Sequence, residues 1–200
     1  MGRHCAEDVG LGRPYSCDPL NANPAKIACV GLPGSGKSTI GRQLARRLGV
    51  KFVDSDQVIE QRLGCSIREF FEREGESAFR DLEQAFIDEL TQHDACVLST
   101  GGGSVLRPLN RERLRSRGQV VYLHSTPDEV FRRLRHDSNR PLLQVNDPLG
   151  RLIDLYTVRD PLYRETATLV VQTGRPSVAA LVTSIILQFE QSGALPGRAP

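Results

Sequence analysis

The sequence predicts an α/β fold: a three-layer α/β/α sandwich around a parallel sheet of about five strands. Short apolar runs alternate with segments in which apolar residues recur every three or four positions, a pattern typical of strand–helix units. Glycine and capping signals separate the units, so most helices have a defined beginning and end. The predicted strands are residues 27–30, 50–53, 96–98, 119–123 and 169–171.

The loop after the first predicted strand has the sequence of a phosphate-binding loop. Residues 31–39 read Gly-Leu-Pro-Gly-Ser-Gly-Lys-Ser-Thr and match the pattern G-x-x-x-x-G-K-[ST]. The glycines let backbone N–H groups point at phosphate oxygens, and the following helix adds the positive end of its dipole. Lys37 supplies a charge for the β- and γ-phosphates, and the Ser38 hydroxyl is a ligand for Mg²⁺. A glycine turn could match by chance, but the strand before it and the helix that ends near Gly49 lie where the motif requires them. We therefore predict that the chain binds a nucleoside triphosphate.

Composition excludes several other classes of protein. The chain has 200 residues, enough for one domain with a sizeable core, and its net charge of +2 is too small for a nucleic-acid groove. Its five cysteines form no C-x-x-C pair and are expected to be reduced thiols. The most apolar run, residues 179–189, is too short to cross a membrane, and no signal peptide follows Met1. We expect a cytoplasmic monomer with no nucleic-acid or membrane partner.

The chain divides into one domain and two less regular ends. Residues 1–25 carry Gly, Pro and Asn without periodicity and are predicted to form a disordered extension. The domain spans residues 26–190, and residues 191–200 are expected to form a flexible tail. Residues 57–92 interrupt the strand–helix alternation with three helical patterns, at 57–63, 66–74 and about 76–92, which suits a substrate-binding insertion but also suits extra packing helices. The second pattern begins with a Ser66-x-x-Glu69 capping box and ends at Gly75, and a further capping box at Thr126 begins the helix after the fourth strand. Residues 136–148 are polar and end in proline, as expected of a lid.

Two further groups of residues follow predicted strands. Asp54 and Asp56 come after the second strand, and residues two apart on an extended segment point to the same side. We expect both carboxylates to face the carboxyl end of the sheet, where open α/β folds bind ligands, although an ordinary Asp-rich turn has the same sequence. Thr100 precedes three glycines, residues 101–103, after the third strand. Such a run indicates either close approach of a ligand to the backbone or a tight turn.

Arginines are concentrated around the predicted insertion and lid. Arg80 and Glu83 are three positions apart and can pair on one helix face, a contact that is more often solvated than part of a site. The basic run at residues 111–117 is interpreted as a solvated helix face. Four arginines enter or lie within the predicted lid and could reach phosphate: Arg132, Arg133, Arg135 and Arg140.

Six segments together resemble shikimate kinase, a family of small P-loop kinases, and the resemblance covers roughly residues 26–188. Apart from the phosphate-binding loop, no segment is specific alone, but the six in this order are highly specific. The segments are residues 31–39, Asp54-x-Asp56, Gly75-Glu-x-x-Phe-Arg80-x-x-Glu83, Thr100-Gly-Gly-Gly103, Arg140-Pro-Leu-Leu143 and Pro161-Leu-Tyr-Arg164.

The resemblance implies a P-loop NTP-binding kinase fold and an activity, the ATP- and Mg²⁺-dependent phosphorylation of the shikimate 3-hydroxyl. It implies catalytic roles for Asp56, as base or orienting group, and for Lys37 and Arg140. Mg²⁺ would lie at Ser38 and, through water, at Asp54. The expected shikimate contacts, with the two arginines on the carboxylate, are Asp56, Arg80, Gly101, Gly102, Gly103 and Arg164. The expected ATP contacts are Gly34, Ser35, Gly36, Lys37, Ser38, Thr39, Arg135, Arg140, Arg175 and Pro176.

Two other functions are compatible with the nucleotide loop. One is a P-loop kinase for a different small polyol acid, such as gluconate. The other is a nucleotide-binding regulatory module without catalysis, which the presence of Asp56 and Arg140 disfavours. An assay of ADP release with both acids would separate these alternatives.

Overall fold

The computed structural model describes residues 26–92, 95–135, 147–174 and 176–195. Its strands are β1 (Lys26–Val30), β2 (Lys51–Asp54), β3 (Cys96–Ser99), β4 (Gln119–His124) and β5 (Leu169–Gln172). They form one parallel sheet in the order β2-β3-β1-β4-β5. The predicted α/β class and the five predicted strands are confirmed.

Seven helices connect or follow the strands in the described part of the chain. They are α1 (Lys37–Leu48), α2 (Ser55–Leu63), α3 (Ile67–Gln92), α4 (Pro108–Arg117), α5 (Pro127–Leu134), α6 (Pro148–Thr166) and α7 (Val178–Gln191). A short 3₁₀ turn, Ser104–Leu106, precedes α4. No helix among the described residues is both long and apolar enough to cross a membrane.

The sheet has a core on each face, because successive side chains of a strand point to opposite sides. Ile27 and Cys29 of β1 pack with α1 and α7, whereas Ala28 and Val30 pack with residues of α3, α4, α5 and α6. A third, smaller cluster joins Ile59 of α2 to phenylalanines of α3. These layers give the predicted α/β/α sandwich, with α2 and the first part of α3 packed beside it.

The register of the sheet brings the carboxyl ends of its central strands together. Ser99 at the end of β3 is the partner of both Asp54 in β2 and Cys29 in β1. On the other side of β1, Val30 is opposite Tyr122 of β4. The segments that leave β1, β2 and β3 therefore meet at one edge, where a ligand is expected in an open parallel sheet.

Helix α3 bends at Gly75, whose φ of 83° and ψ of 171° are not helical. The sequence predicted two helices that are separated at this residue. Both helices are present, and they follow each other directly across the bend. The first part begins with the predicted capping box, in which the Ser66 Oγ accepts from Glu69 N and the Glu69 carboxylate accepts from Ser66 N.

The interpretation of residues 111–117 as a solvated helix face is wrong for three of its arginines. Arg113 and Arg117 both pair with Asp88 of α3, at 3.0 and 2.7 Å, and Arg111 pairs with Glu165 of α6. The prediction failed because a charge pattern in the sequence does not show which acidic residues will face these arginines after folding. The arginines instead join α4 to the helices on either side.

Three predictions concern the two chain ends and the segment before α6. Residues 1–25, 136–146 and 196–200 lie outside the described residues, so the predicted extension and most of the predicted lid are not seen. Among the residues predicted to form a flexible tail, Ser192 and Gly193 are exposed, whereas Leu195 is packed. Leu195 is buried in the α1–α7 core, and its N–H donates to Phe189 O.

Candidate active site

The phosphate-binding loop joins β1 to α1 through glycines that no other residue could replace without strain. Gly31 has a φ of 147°, and a Cβ there would lie 2.7 Å from the carbonyl oxygen of Leu123. Gly34 has a φ of 82°, and its Cβ would lie 2.8 Å from the Leu134 side chain. The loop therefore requires glycine both for backbone conformation and for space.

The loop presents groups that suit an anion. Helix α1 has Gly36 at its N-cap, so no side chain bonds to the N–H groups of its first turn. The Ser35 hydroxyl is buried and has no hydrogen-bond partner among the described residues. Lys37 lies along the same loop, and its Nζ donates to the carbonyl oxygens of Gly31 and Leu32, both at 2.9 Å. Uncapped N–H groups, a buried hydroxyl and an ammonium group are the donors that a triphosphate needs.

Three oxygen-bearing side chains meet beside this loop. Ser38 Oγ donates to Asp54 Oδ2 at 2.7 Å and lies 3.3 Å from Ser99 Oγ. Hydroxyl and carboxylate oxygens are ligands that Mg²⁺ accepts, and in kinases the ion takes its remaining ligands from phosphate and water. The described residues contain no cluster of three or more His, Cys, Asp or Glu suited to a metal, but such a site does not require one.

The prediction that Asp54 and Asp56 lie on one extended segment is wrong. Helix α2 begins at Ser55, immediately after β2, with Asp54 as its N-cap; Asp54 Oδ1 accepts from Asp56 N at 3.2 Å. The helix turn separates the two carboxylates, because Asp54 bonds to Ser38 while Asp56 lies against Gly101. Both still lie at the carboxyl edge of the sheet, but Asp54 is beside the phosphate-binding loop and Asp56 is beside the glycine turn.

Asp56 has an acidity suited to proton transfer near neutral pH. Burial raises its pKa to about 6, and the negative charges of Asp54, Glu83 and Glu60 act in the same direction. The positive charge of Lys37 partly opposes them. A carboxylate with a pKa close to the operating pH can both hold and release a proton, as general base catalysis requires.

Arg80 lies on the triple-glycine turn and is held there by acids of its own helix. Its Nη1 donates to Glu83 Oε2 at 2.7 Å, and its Nη2 donates to Glu76 Oε1 at 3.0 Å. A Cβ on Gly103 would lie 2.3 Å from Arg80 Nη1, so the guanidinium occupies the space that a side chain would fill. The Arg80–Glu83 pair is therefore confirmed, but it is not a solvated contact, because only 1% of the Glu83 side chain is exposed.

Glu83 is a buried carboxylate with one oxygen available. Its Oε1 is buried without a hydrogen-bond partner among the described residues, next to Gly101. Burial raises the pKa of Glu83, and the positive charges of Arg80 and Arg159 oppose that rise. The acid thus lies between two arginines on one side and the glycine turn on the other.

The triple-glycine turn is both a tight turn and a place of close approach. Ser104 N donates to Gly101 O, which closes the turn. Gly101 N donates to the Ser55 hydroxyl, and Gly102 O accepts from the hydroxyl of Tyr163. The tight turn predicted as one alternative is confirmed, and side chains of α2, α3 and α6 reach it; close approach of a ligand stays a prediction.

The structure does not bring Arg164 to this turn and brings another arginine instead. Arg164 is half exposed; its Nε donates to Asp160 Oδ2 at 2.8 Å, and its guanidinium lies over the Tyr122 ring. Arg159 lies one turn before Tyr163 on α6, and its positive charge opposes the rise in pKa that burial causes at both the Glu83 carboxyl and the Tyr163 hydroxyl. Both Arg159 and Arg164 flank the Pro-Leu-Tyr segment in the sequence. The sequence alone does not show which of the two arginines faces the glycine turn.

The residues expected near the adenine are only partly described. Arg135 caps the end of α5 and is exposed, and Pro176 is exposed before α7. Arg140 and Arg175 lie outside the described residues. Arg133, to which the sequence gave no specific role, donates to Ser125 Oγ at 3.1 Å and to Thr173 O at 2.8 Å, which ties the turns after β4 and β5 together.

Comparison with known proteins gives consistent names. A sequence model of the shikimate kinase family matches residues 33–190. A shikimate kinase of Paracidovorax citrulli is 61% identical over 173 residues, which are 85% of this chain and 94% of that protein. A shikimate kinase of Cupriavidus pinatubonensis is 55% identical over 164 residues, 82% of this chain and 85% of the relative.

Solved structures give the same result. The shikimate kinase from Acinetobacter baumannii in complex with shikimate has a TM-score of 0.81 and 43% identity, covering 86% of this chain and 96% of that one. The enzyme from Aquifex aeolicus has a TM-score of 0.71 and 34% identity, covering 84% of this chain and 97% of that one. A gluconokinase from Sinorhizobium meliloti, at 18% identity and a TM-score of 0.52, shares the fold.

Proposed function

Because this chain belongs to the shikimate kinase family, we propose that its site transfers the γ-phosphoryl group of ATP to the 3-hydroxyl of shikimate. The observation that carries the proposal is the triple-glycine turn, which has Asp56 against its first glycine and Arg80 against its third. A base and a carboxylate-binding cation thus flank one short backbone segment beside the phosphate-binding loop. These two groups are the ones that the hydroxyl and the carboxylate of a small hydroxy acid require.

The nucleotide half of the site is the loop at residues 34–39 and the start of α1. Lys37 and the first-turn N–H groups would neutralise the phosphate oxygens, which is the main protein contribution to phosphoryl transfer. We propose that Arg140 comes onto the transferring group from the segment before α6. The adenine would lie near Arg135, Arg175 and Pro176, with Arg133 holding the turns from which these residues extend.

Mg²⁺ would be held by Ser38 and, through water, by Asp54. When bound, it supplies charge stabilisation to the β- and γ-phosphate oxygens. The Ser38–Asp54 hydrogen bond of 2.7 Å supports this assignment, because it places a hydroxyl and a carboxylate oxygen together at the loop.

Asp56 would orient the 3-hydroxyl and take its proton. The hydroxyl oxygen then forms a bond to the γ-phosphorus, the bond from that phosphorus to the β–γ bridging oxygen breaks, and ADP leaves with the electron pair. The raised pKa of about 6 supports this role, because Asp56 is largely ionised at neutral pH and yet basic enough to share a proton.

The carboxylate of shikimate would be bound by Arg80 together with a second arginine. A pair of guanidinium groups can hold a carboxylate with charge-assisted, planar hydrogen bonds. The resemblance assigned the second position to Arg164, whereas the electrostatic effect of Arg159 on Glu83 and Tyr163 favours Arg159. We therefore propose Arg80 and Arg159 as the clamp and keep Arg164 as the alternative to be compared.

We further propose that the chain acts as a cytoplasmic monomer. The residues proposed for the two substrates come from one chain, so no partner is needed to complete the site. The three cysteines in the described part of the chain, Cys29, Cys65 and Cys96, are free thiols, which suits a reducing compartment.

The direct test is ADP release by the purified full chain with ATP and Mg²⁺. We expect release to depend on shikimate and to be negligible with gluconate. Asp56→Asn should lower kcat by about 10²–10⁴, the usual range for a general base, without a change in nucleotide binding. Absence of shikimate-dependent release from folded, ATP-binding protein would refute the function, and near-normal kcat in the variant would refute the role of Asp56.

A further inference from the structure

Tyr163 is a fully buried residue whose hydroxyl lies at the centre of the acceptor site. Its side chain has no exposed surface, and its ring packs on that of Tyr122 with centroids 5.0 Å apart. The hydroxyl donates to the carbonyl oxygen of Gly102 at 2.5 Å. A buried hydroxyl that bonds to a loop backbone fixes that backbone, because the loop would otherwise lose a hydrogen bond without access to water.

The carbonyl that Tyr163 holds belongs to the middle glycine of the turn. The glycine before it contacts Asp56, and the glycine after it contacts Arg80. Three glycines in a row have little conformational preference of their own, so their path must be imposed by neighbouring groups. The hydrogen bond from Tyr163 therefore acts on the peptide between the proposed base and the proposed carboxylate clamp.

The same residue shares a helix face with the second proposed cation. Arg159 is one helical turn before Tyr163 on α6, and residues four apart lie on one face of a helix. The positive charge of Arg159 acts on both the Tyr163 hydroxyl and the Glu83 carboxyl. The Tyr163 hydroxyl thus bonds to the glycine turn on the side of α6 that carries Arg159.

We propose that Tyr163 is a positioning residue for the acceptor. Its hydroxyl fixes the Gly102 peptide between the proposed base and the proposed carboxylate clamp, so that shikimate meets a preformed site. The inference rests on the proposed function of this site. It assigns to Tyr163 a role in binding shikimate that does not extend to ATP.

The structure offers a matched control in the neighbouring ring. Tyr122 is equally buried and stacked on Tyr163, but its hydroxyl donates to Asp160 Oδ1 at 2.8 Å, away from the glycine turn. Tyr163→Phe and Tyr122→Phe therefore remove the same atom from adjacent rings. We expect Tyr163→Phe to raise the KM for shikimate by about three- to tenfold, the effect of one lost hydrogen bond, with the KM for ATP within about twofold of wild type. Tyr122→Phe should leave both KM values within about twofold.

A second measurement needs no substrate. The N–H of Gly101 donates to the Ser55 hydroxyl, and the N–H of Ser104 donates to Gly101 O. Amide hydrogen exchange at both residues should be about three- to tenfold faster in Tyr163→Phe than in Tyr122→Phe. Equal shikimate KM and equal exchange in the two variants would overturn the inference, as would a parallel rise of both KM values. Faster exchange in Tyr163→Phe, found together with a wild-type protein that lacks shikimate-dependent activity, would instead overturn the proposed function.

Discussion

At the scale of single residues, Asp56 combines a chemical advantage with a cost in stability. Its pKa is about 6 in the folded protein against 3.8 in the unfolded chain, so the folded state disfavours the ionised form. Below pH 3.8, Asp56 is protonated in both the folded and the unfolded protein, and its pKa shift costs no stability. As the pH rises from 3.8 to about 6, the unfolded chain ionises first and the folded state loses stability; above about 6 the loss is constant. A shift of this size corresponds to at most about 3 kcal/mol.

Asp56→Asn should therefore make the protein more stable at neutral pH while it lowers activity. We expect a gain of about 1–3 kcal/mol near pH 7.5 and a smaller gain near pH 4.5, because burial outweighs the roughly 0.3–1 kcal/mol that a charge contributes at a helix N-terminus. Urea unfolding at the two pH values measures the difference. Asp154→Asn, which alters an exposed acid of α6, should change stability little at either pH; a gain independent of pH would argue against the raised pKa.

The arginine clamp makes a second prediction at this scale. Arg80→Lys and Arg159→Lys keep the positive charge but lose the planar fork, so each should raise the KM for shikimate by about tenfold, equivalent to a lost contact of about 1.4 kcal/mol. Arg164→Lys should have little effect, because its side chain is half exposed and paired with Asp160. Nucleotide affinity serves as the control for all three. If Arg80→Lys and Arg164→Lys raise the KM and Arg159→Lys does not, the assignment made from the resemblance is right and the clamp of Arg80 and Arg159 is wrong.

At the scale of elements, sequence patterns predicted most boundaries but not every backbone path. The Ser66 capping box and the Thr126 capping box were readable because their partners lie three residues apart. The Asp54–Asp56 pattern was misread as extended, since the same residues also serve as N-cap and first-turn acid of a helix. A choice between these two conformations depends on where α2 packs, and that information lies outside the local sequence.

The bend of α3 at Gly75 gives a prediction about an element. A φ of 83° with a ψ of 171° is essentially restricted to glycine, whereas Gly64, at 67° and 13°, occupies the left-handed helical region that other residues can enter at a cost. A Cβ would contact nothing within 4 Å at either residue, so the difference reports backbone conformation alone. Gly75→Ala should cost up to about 3 kcal/mol and Gly64→Ala about 1 kcal/mol.

The two alanine variants should also differ in function. If the Gly75→Ala substitution drives the bend toward regular helix, the first part of α3 moves, and with it Phe71, which packs on Phe79 beside Arg80. We expect Gly75→Ala to lower Tm by several degrees and to raise the KM for shikimate, and Gly64→Ala to lower Tm less with the KM unchanged. Equal losses of Tm with unchanged KM values would mean that the bend is not needed for the acceptor site.

At the scale of the whole molecule, the order of motifs along the chain was more informative than any one of them. The five strands, the phosphate loop and the acids after β2 could be predicted because each depends on neighbours in sequence. The pairing of Arg113 and Arg117 with Asp88 could not, and neither could the choice of Arg159 over Arg164, because both depend on how helices distant in sequence face each other. Folding brings the carboxyl ends of β1, β2 and β3 to one edge of the sheet, which no single motif in the sequence shows.

The proposed site has two halves built from different side chains, and ligand-induced stabilisation should separate them. Lys37 is proposed for the nucleotide half and Arg80 for the acceptor half. A ligand at a hundred times its Kd adds about 2.7 kcal/mol of stability, which is about 5–10 °C in Tm for a chain of this size. Lys37→Met should abolish the increase given by ADP and Mg²⁺ and keep that given by shikimate, whereas Arg80→Lys should keep the first and reduce the second by about 3–5 °C.

The comparison must use the increase in Tm and not Tm itself, because Lys37 bonds to two loop carbonyls and its loss lowers stability in the absence of ligand. Lys51→Met, which alters an exposed lysine of β2, is the matched control and should leave both increases unchanged. A loss of both increases in either site variant would show that the two halves are not independent. In that event the site would have to form as one unit, with the phosphate loop and the glycine turn ordered together by whichever substrate binds first.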